Sequence, residues 1–387
     1  MKIAFLVYKI PPSFDGVGQY SWNLAEKLRE WGHDTRLFTS RPSQPHPPAQ
    51  PPWVHPDISS WDGPSVLRAI RSQGFDPDWC NFQFVPSLYG RYGICRQAAG
   101  IPLFLKRHSS CRVVTTLHEF LTPWRLHPRD FLLATISRQQ TRRLLRGSTL
   151  ALTTCRRYQD LLVLLGDGTC PVQVLPVGSN ILNAPENPEK IQELRERHGL
   201  SGACVLGMFG RLSEARNFQT GLRTLTQAIQ AGVPARLLLV GNTASSNPPL
   251  FRKLMDSAKQ SGVDRFILST GDLPVGQISA FLQLIDLFLF PQCDGISTRN
   301  TTLMAALAHG LPIVAYAPQS GNWEQPEVPG GRLVPQGNEA EFIRASLELL
   351  QDPGKQLRFS SANKLYFDRH FSWSSIARRY VEILQNG

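Results

Sequence analysis

The sequence predicts an α/β protein built on two parallel sheets, and three observations carry that expectation. Strand signals alternate with helix signals almost throughout, the pattern of a parallel sheet covered by helices. At 387 residues the chain is long enough for two domains, each burying its own core. The third observation is local: the apolar run ACVLGMF reads as a buried parallel strand and stops at Gly210, in the stretch GRLSEARN (residues 210–217).

Taken in order, KIAFLVY is the first strand, followed by the loop PPSFDGVGQ and a helix over about residues 20–31 with Leu24, Leu28 and Trp31 on one face. Gly32 ends that helix. Residues 41–56 hold seven prolines, which excludes a helix or an inner strand and leaves an extended surface excursion. Further strands are expected at CNFQFV, CRVVTTL, LALTTC and VQVLPV, so a first domain spans residues 1–182. Residues 183–200 form a linker carrying a helix. The second domain, residues 201–368, has strands at VLGMF, ARLLLV, RFILS, LFLF, PIVAY and GRLVP, with helices such as FQTGLRTLTQAIQ and TTLMAALAH between them. Two such sheets are expected to face each other across a cleft, with ligands at the carboxyl ends of the strands.

Composition narrows the function classes. A 42% hydrophobic, 18% charged chain is globular. The net charge of +11 sits mostly in residues 1–180, where 21 Lys+Arg face 12 Asp+Glu. Such a surface attracts phosphates without choosing among them. The six-residue apolar run before Lys9 is too short for a signal peptide or a membrane span, so a cytoplasmic protein is expected. Seven cysteines at irregular spacings, with no CxxC pair, fit reduced thiols and disfavour a zinc site.

In GRLSEARN, Arg211 and Arg216 can converge on one anion beside a glycine that lets a ligand approach the backbone. Two cations on a diphosphate suggest nucleotide-sugar chemistry. Together with DGVGQYSWNLAEKLREWGHD, LPVGSNI, STGDLPVGQISAFLQLIDLFLFP, AALAHGLPIVAY and HFSWSSIARRYVEIL, this motif makes the chain resemble glycosyltransferase family 4, in the family's order over most of its length. The resemblance implies a GT-B fold of two facing Rossmann-like domains and a retaining transfer from a nucleotide sugar. Residues 369–387 then form a terminal helix crossing back to the first domain.

The same resemblance assigns candidate residues. Gly16 and Val17, in the glycine-rich loop after the first strand, lie near the donor diphosphate; backbone NH groups before a helix can accept an anion. Arg211 and Arg216 stand where the family has arginine and lysine. His118, in TTLHEF, contacts the transferred sugar, although Glu119 follows where the family has aspartate. Leu273, in GDLP, holds the base, with uridine expected first and guanosine next. Gly210, Asn242, Asp294, Gly295, Ser297, Arg299, Asn300, Thr301 and Thr302 complete the donor side. The family's E-x7-E acids are absent, since counting back from Gly310 places Ser297 and Ala305 there. A longer loop is expected instead, in which Asp294 or Ser297 meets sugar hydroxyls and Arg299 adds positive charge.

No cofactor or metal is expected, because arginines neutralise the diphosphate. The expected partners are a nucleotide-sugar donor and a hydroxyl acceptor, lipid-linked or a glycan, as in polysaccharide or glycolipid synthesis; no nucleic acid is expected. Residues 125–146 are basic with an apolar stripe, which suits peripheral contact with an anionic membrane as well as packing on the first domain. Two rivals remain: a non-catalytic nucleotide-sugar-binding scaffold, and an epimerase or phosphorylase on the same fold. A Rossmann oxidoreductase fits poorly, since neither sheet carries the glycine fingerprint with its ribose acid.

Overall fold

The central strands of each sheet are buried on both faces, so they are covered by helices on both sides. Lys2–Leu6 is buried from Ile3 onward, and Trp79–Phe84 is buried along its whole length. A computed structural model describes the chain except residues 12–14, 42–49, 122–126, 169, 185, 242 and 324–327. It divides into two compact units, residues 1–177 with 373–387, and residues 178–372.

The first unit contains β1 (Lys2–Leu6), β2 (Asp34–Ser40), β3 (Val54–Ile58), β4 (Trp79–Phe84), β5 (Arg112–Leu117), β6 (Leu150–Thr153) and β7 (Val172–Val174). They pair in parallel in the order β3-β2-β1-β4-β5-β6-β7. The second contains β8 (Cys204–Phe209), β9 (Ala235–Val240), β10 (Ile267–Ser269), β11 (Leu287–Phe290), β12 (Ile313–Tyr316) and β13 (Gly331–Val334), in the order β10-β9-β8-β11-β12-β13. Each sheet is wound outward from its first strand in both directions. A crevice therefore opens at the carboxyl ends of β1 and β4, and of β8 and β11, where the connections depart to opposite sides.

Three local features differ from the sequence expectation. The first helix runs Gly16–Glu30, starting earlier because Asp15 caps it by accepting a bond from Gly18 N at 3.0 Å. Leu24 and Leu28 are fully buried, but Trp31 is 40% exposed, because the chain has left the helix and turns at Gly32 (φ +83°). The proline-rich excursion ends in β3, whose Pro56 is tolerated because this strand lies at the sheet's edge. β2, with the mixed sequence DTRLFTS, has too many polar residues to read as an apolar run, yet it pairs with β1 over five residues.

The helix Pro188–Arg197 has no buried residue, and one side chain fastens it to the second unit. Arg195 reaches Asp286 Oδ2 at 3.1 Å and the carbonyls of Ala203 and Leu284, while Val205 N donates to the same carboxylate at 2.7 Å. The helix Pro353–His370 is anchored to that unit by Asn363. Its Nδ2 donates to Leu311 O (2.7 Å) and Gly330 O (2.9 Å), and its Oδ1 accepts from Gly330 N (2.8 Å). The last helix, Trp373–Asn386, belongs to the first unit, where Tyr380 stacks on Phe5.

Asn363 is fully buried, so its replacement leaves one amide and two carbonyls without partners. Asn363→Ala is expected to lower stability by about 2–4 kcal/mol in urea denaturation. A loss within error of zero would mean that the backbone groups it serves find other partners.

Candidate functional site

In the second unit the chain leaves β8 at Gly210, whose φ is +107°. A Cβ there would lie 2.4 Å from Arg216 Nη1 and 3.2 Å from Thr302 Oγ1, so conformation and crowding both demand glycine. The chain then makes a single 3-10 turn, Glu214–Arg216, and passes through Asn217 in the left-handed region (φ 47°) before the helix Phe218–Gln230. This tight return folds the Arg216 side chain back over the strand end. Its Nη1 donates to Phe209 O at 2.7 Å and its Nη2 to Thr302 Oγ1 at 3.0 Å.

Burial, and then the charge of Arg211, lower the Arg216 pKa, but a guanidinium stays protonated throughout the working range. Arg211 is exposed. Neither arginine forms an ion pair with a carboxylate among the described residues. The result is a cationic pair beside the first turn of the helix Thr301–Ala308, whose N-cap, Asn300, makes no side-chain capping bond. A helix N-terminus and two uncompensated guanidiniums both favour an anion.

The loop after β11 is tied to this turn by Cys293 N donating to Ala215 O at 2.8 Å. Gly295 (φ +72°) is fixed by packing, since a Cβ would lie 1.9 Å from Ala317 O. Asp294 Oδ1 accepts from Gln292 Nε2 at 2.7 Å, and its Oδ2 lies 3.8 Å from Arg299 Nη2. Arg299 therefore has its charge set against a carboxylate. Ser297 is 1% exposed, and its hydroxyl and the Asn300 Oδ1 are buried without a hydrogen-bond partner. Ala305 is fully buried. Leu273 is half-buried in the turn preceding the helix Val275–Leu282, and Thr301 is half-buried at its own helix start. Asn242 lies outside the described residues.

The first unit brings together a different set. Gly16 is exposed at the start of its helix with open space around it, and Val17 is half-buried. Gly18 has a packing role: a Cβ would meet the Lys9 carbonyl at 2.2 Å. His118 follows β5, its ring edge-on to Tyr20 with centroids 5.0 Å apart and its Nε2 2.8 Å from Gln83 Oε1. Gln83 Nε2 donates to Asn81 Oδ1 (2.9 Å), Thr116 Oγ1 donates to the same oxygen (2.9 Å), and Asn81 Nδ2 donates to Tyr380 OH (2.8 Å). In this arrangement Gln83 offers His118 an acceptor, so the imidazole proton sits on Nε2 and Nδ1 is left to accept a bond. Burial pushes the His118 pKa down to about 4, which keeps the ring neutral.

Sequence reasoning did not find Asn81, Gln83, Thr116 or Tyr380. The available signal was CNFQFV, in which two amides occupy alternate positions of a strand that is otherwise apolar. The helix Pro128–Gly147 covers most of the basic stretch 125–146, of which residues 125 and 126 lie outside the described residues. Phe131 and Leu132 are 58% and 59% exposed on it, and Arg129 lies 4.6 Å from the ring of the exposed Tyr92. Among the described residues no helix is long and apolar enough to cross a membrane, and no group of three or more His, Cys, Asp or Glu is placed to hold a metal ion.

Two parallel sheets of seven and six strands, each wound outward from its first strand, with an arginine-lined turn after β8, define the GT-B fold of nucleotide-sugar enzymes. Residues 203–352 match the family of glycosyl transferases group 1, and residues 15–178 match the glycosyl transferase 4-like domain. The chain belongs to this family of glycosyltransferases. A GDP-mannose-dependent monoacylated alpha-(1-6)-phosphatidylinositol monomannoside mannosyltransferase from Corynebacterium glutamicum is 24% identical over 220 residues, 55% of each chain. The match thus spans about half the length of that curated relative. Among solved structures, sucrose-phosphate synthase from Thermosynechococcus elongatus aligns with TM-score 0.70 at 16% identity, over 100% of this chain and 98% of that one. Anabaena HepE in complex with UDP aligns with TM-score 0.69 at 16% identity over all of both chains.

His118 in the first unit and His309 in the second are both neutral in the folded protein. His309 is pushed down to about 4 by burial, against the raising effect of its bond to the Ala305 carbonyl, with Lys364 lowering it further. From about pH 6.5 down to 4 the unfolded chain binds protons at these rings that the folded chain does not, so acidification through that window destabilises the fold. Each ring's contribution is expected to be on the order of 3 kcal/mol by pH 4. Urea denaturation across the window should show a shallower pH slope in His118→Asn and in His309→Asn than in the wild type; identical slopes would contradict neutral burial.

Proposed function

We propose that the protein is a retaining, metal-independent glycosyltransferase that moves a sugar from a nucleoside diphosphate sugar to a hydroxyl acceptor. One observation supports this most: the guanidinium pair of Arg211 and Arg216, without carboxylate partners, beside the first turn of the helix Thr301–Ala308. As the bond between sugar and diphosphate breaks, negative charge grows on the leaving phosphate. Fixed cations and amide dipoles aimed at that charge lower the barrier without having to reorganise. Thr302 accepts from Arg216, which leaves its own hydroxyl proton for a phosphate oxygen.

Retention follows if the acceptor hydroxyl attacks the face from which the diphosphate departs, with the leaving oxygen taking its proton. No protein nucleophile is then required. His118, neutral and with Nδ1 as an acceptor, is proposed to take a hydrogen bond from a hydroxyl of the transferred sugar. Uridine is the proposed base, in keeping with the UDP held by HepE, and guanosine, used by the corynebacterial relative, is the alternative.

A donor panel read by mass spectrometry for released nucleotide tests this reading. Arg216→Ala and Arg211→Ala should each cut turnover by about 10²-fold or more. His118→Ala should lose less, and chelation with EDTA should leave the rate unchanged. Turnover near wild type in both arginine variants would reject the site; donor binding without turnover across the panel would identify a scaffold.

The acceptor is proposed to be lipid-linked, with the protein resting peripherally on an anionic membrane at the inner face. Exposed Phe131, Leu132 and Tyr92, interleaved with Arg91 and Arg129, supply the apolar and cationic parts of such a contact. Flotation with vesicles containing anionic lipid should carry the protein upward and fail at high salt, and Phe131→Ser with Leu132→Ser should weaken it. Equal flotation with neutral vesicles would reject the electrostatic part.

A further inference from the structure

Cys80, near the amino end of β4, and Cys111, just before β5, meet diagonally, because Cys80 is in register with Val113. The two strands are hydrogen-bonded neighbours, with Trp79 in register with Arg112, and the two sulfurs are 3.3 Å apart. Both thiols are free. A disulfide needs about 2.05 Å, so the pair must close by roughly 1.2 Å. A cavity of about 80 Å³ adjoins the pair, walled by Leu67, Ile70 and Leu105 and bordered by the exposed Asp76 and Ser110. That volume admits a molecule the size of hydrogen peroxide, because one water occupies about 30 Å³ of liquid.

We propose that Cys80 and Cys111 are a redox modification site, oxidised by a peroxide to a reversible disulfide. The two sulfurs are not equivalent, which sets the order of events. The hydrogen-bonding contact with Cys80 draws the Cys111 thiol down to about 7 despite its burial, and the Ser109 hydroxyl, 3.1 Å away, assists. The Cys80 thiol is held well above its ordinary value by the same contact and by burial. Cys111 also keeps 8% of its surface exposed where Cys80 keeps none, so Cys111 is the attacking thiolate and Cys80 the resolving thiol.

The thiolate of Cys111 attacks one peroxide oxygen, the O–O bond breaks, and hydroxide leaves, giving Cys111 sulfenic acid. Cys80 sulfur then attacks the sulfenic sulfur; the S–O bond breaks, the Cys80 proton goes to the departing hydroxide, and water is released. Two electrons, one from each sulfur, reduce one peroxide. The new bond closes the chain between residues 80 and 111, and that closure restricts the unfolded state. Neighbouring strand residues point to opposite faces, so the disulfide lies on the face of β4 away from Asn81 and its hydrogen-bonded chain to His118. Oxidation is therefore expected to stabilise the first unit while leaving the His118 contacts in place.

The test uses the full chain carrying Cys293→Ser, which removes the exposed thiol. Stoichiometric hydrogen peroxide should lower the intact mass by about 2 Da, with a Cys80–Cys111 cross-linked peptide that dithiothreitol dissolves. Its unfolding midpoint should rise by several degrees. Cys80→Ala should leave a dimedone-trappable sulfenic acid at Cys111, and Cys111→Ala should leave Cys80 unmodified. If either variant fails to fold, differential alkylation of the chain with both thiols present decides the same question. Both thiols remaining alkylatable after peroxide treatment, or cross-linking to a different cysteine, would overturn the proposal.

Discussion

A half-buried guanidinium at the end of a strand, without a carboxylate partner among the described residues, organises the second unit. Arg216 joins three segments that are distant in sequence: the end of β8 through the Phe209 carbonyl, its own 3-10 turn, and the helix Thr301–Ala308 through the Thr302 hydroxyl. Gly210 has to be glycine so that this side chain can fold back, and the bond from Cys293 N to Ala215 O sets the neighbouring loop against the turn. Two neutral acceptors orient the cation but do not cancel its charge. Withdrawing a charge from water without an opposite partner is costly, and these two bonds offset part of that cost.

Both units repeat one topology, yet they use its crevice differently. In the second unit the turn at the carboxyl end of β8 is cationic. In the first, β4 and β5 carry Asn81, Gln83 and Thr116 through a buried interior, and these groups satisfy one another and end at His118. A buried amide chain is tolerated only when nearly every donor finds an acceptor. The terminal helix supplies Tyr380 to complete it, which gives that helix a polar contribution beyond the packing of Tyr380 on Phe5.

Much of this was legible in the sequence because it rests on local pattern. Apolar runs ended by glycine located β8 and its turn, and the arginine spacing in GRLSEARN identified the cationic pair that the structure leaves without carboxylates. The failures share a physical cause, namely that the decisive partner lies far along the chain. Tyr380 meets Asn81 across 299 positions, and nothing in CNFQFV announces that contact. The burial of Ser297 likewise cannot be read from the string DGISTRN, because the bonds of Ile296 to Tyr316 and Thr298 to Asn322 are what draw its segment inward. β2 escaped because its polar residues break the apolar run, while its pairing with β1 decides its conformation.

The arginine at position 216, where the family motif has lysine, is more than a retained charge. Its two terminal nitrogens donate in different directions, one to a strand carbonyl and the other to a hydroxyl on the next helix. A planar fork can hold both bonds at fixed geometry because its donors are rigidly spaced. A lysine ammonium concentrates its charge at one atom on a flexible stem, and the bonds it makes with the scaffold compete directly with those it offers a ligand. The guanidinium instead spreads its charge over the fork while two of its N–H groups lock it in place. At this position the arginine serves as a structural clamp whose charge no carboxylate cancels, and Gly210, left-handed Asn217 and Thr302 form the local setting that allows it.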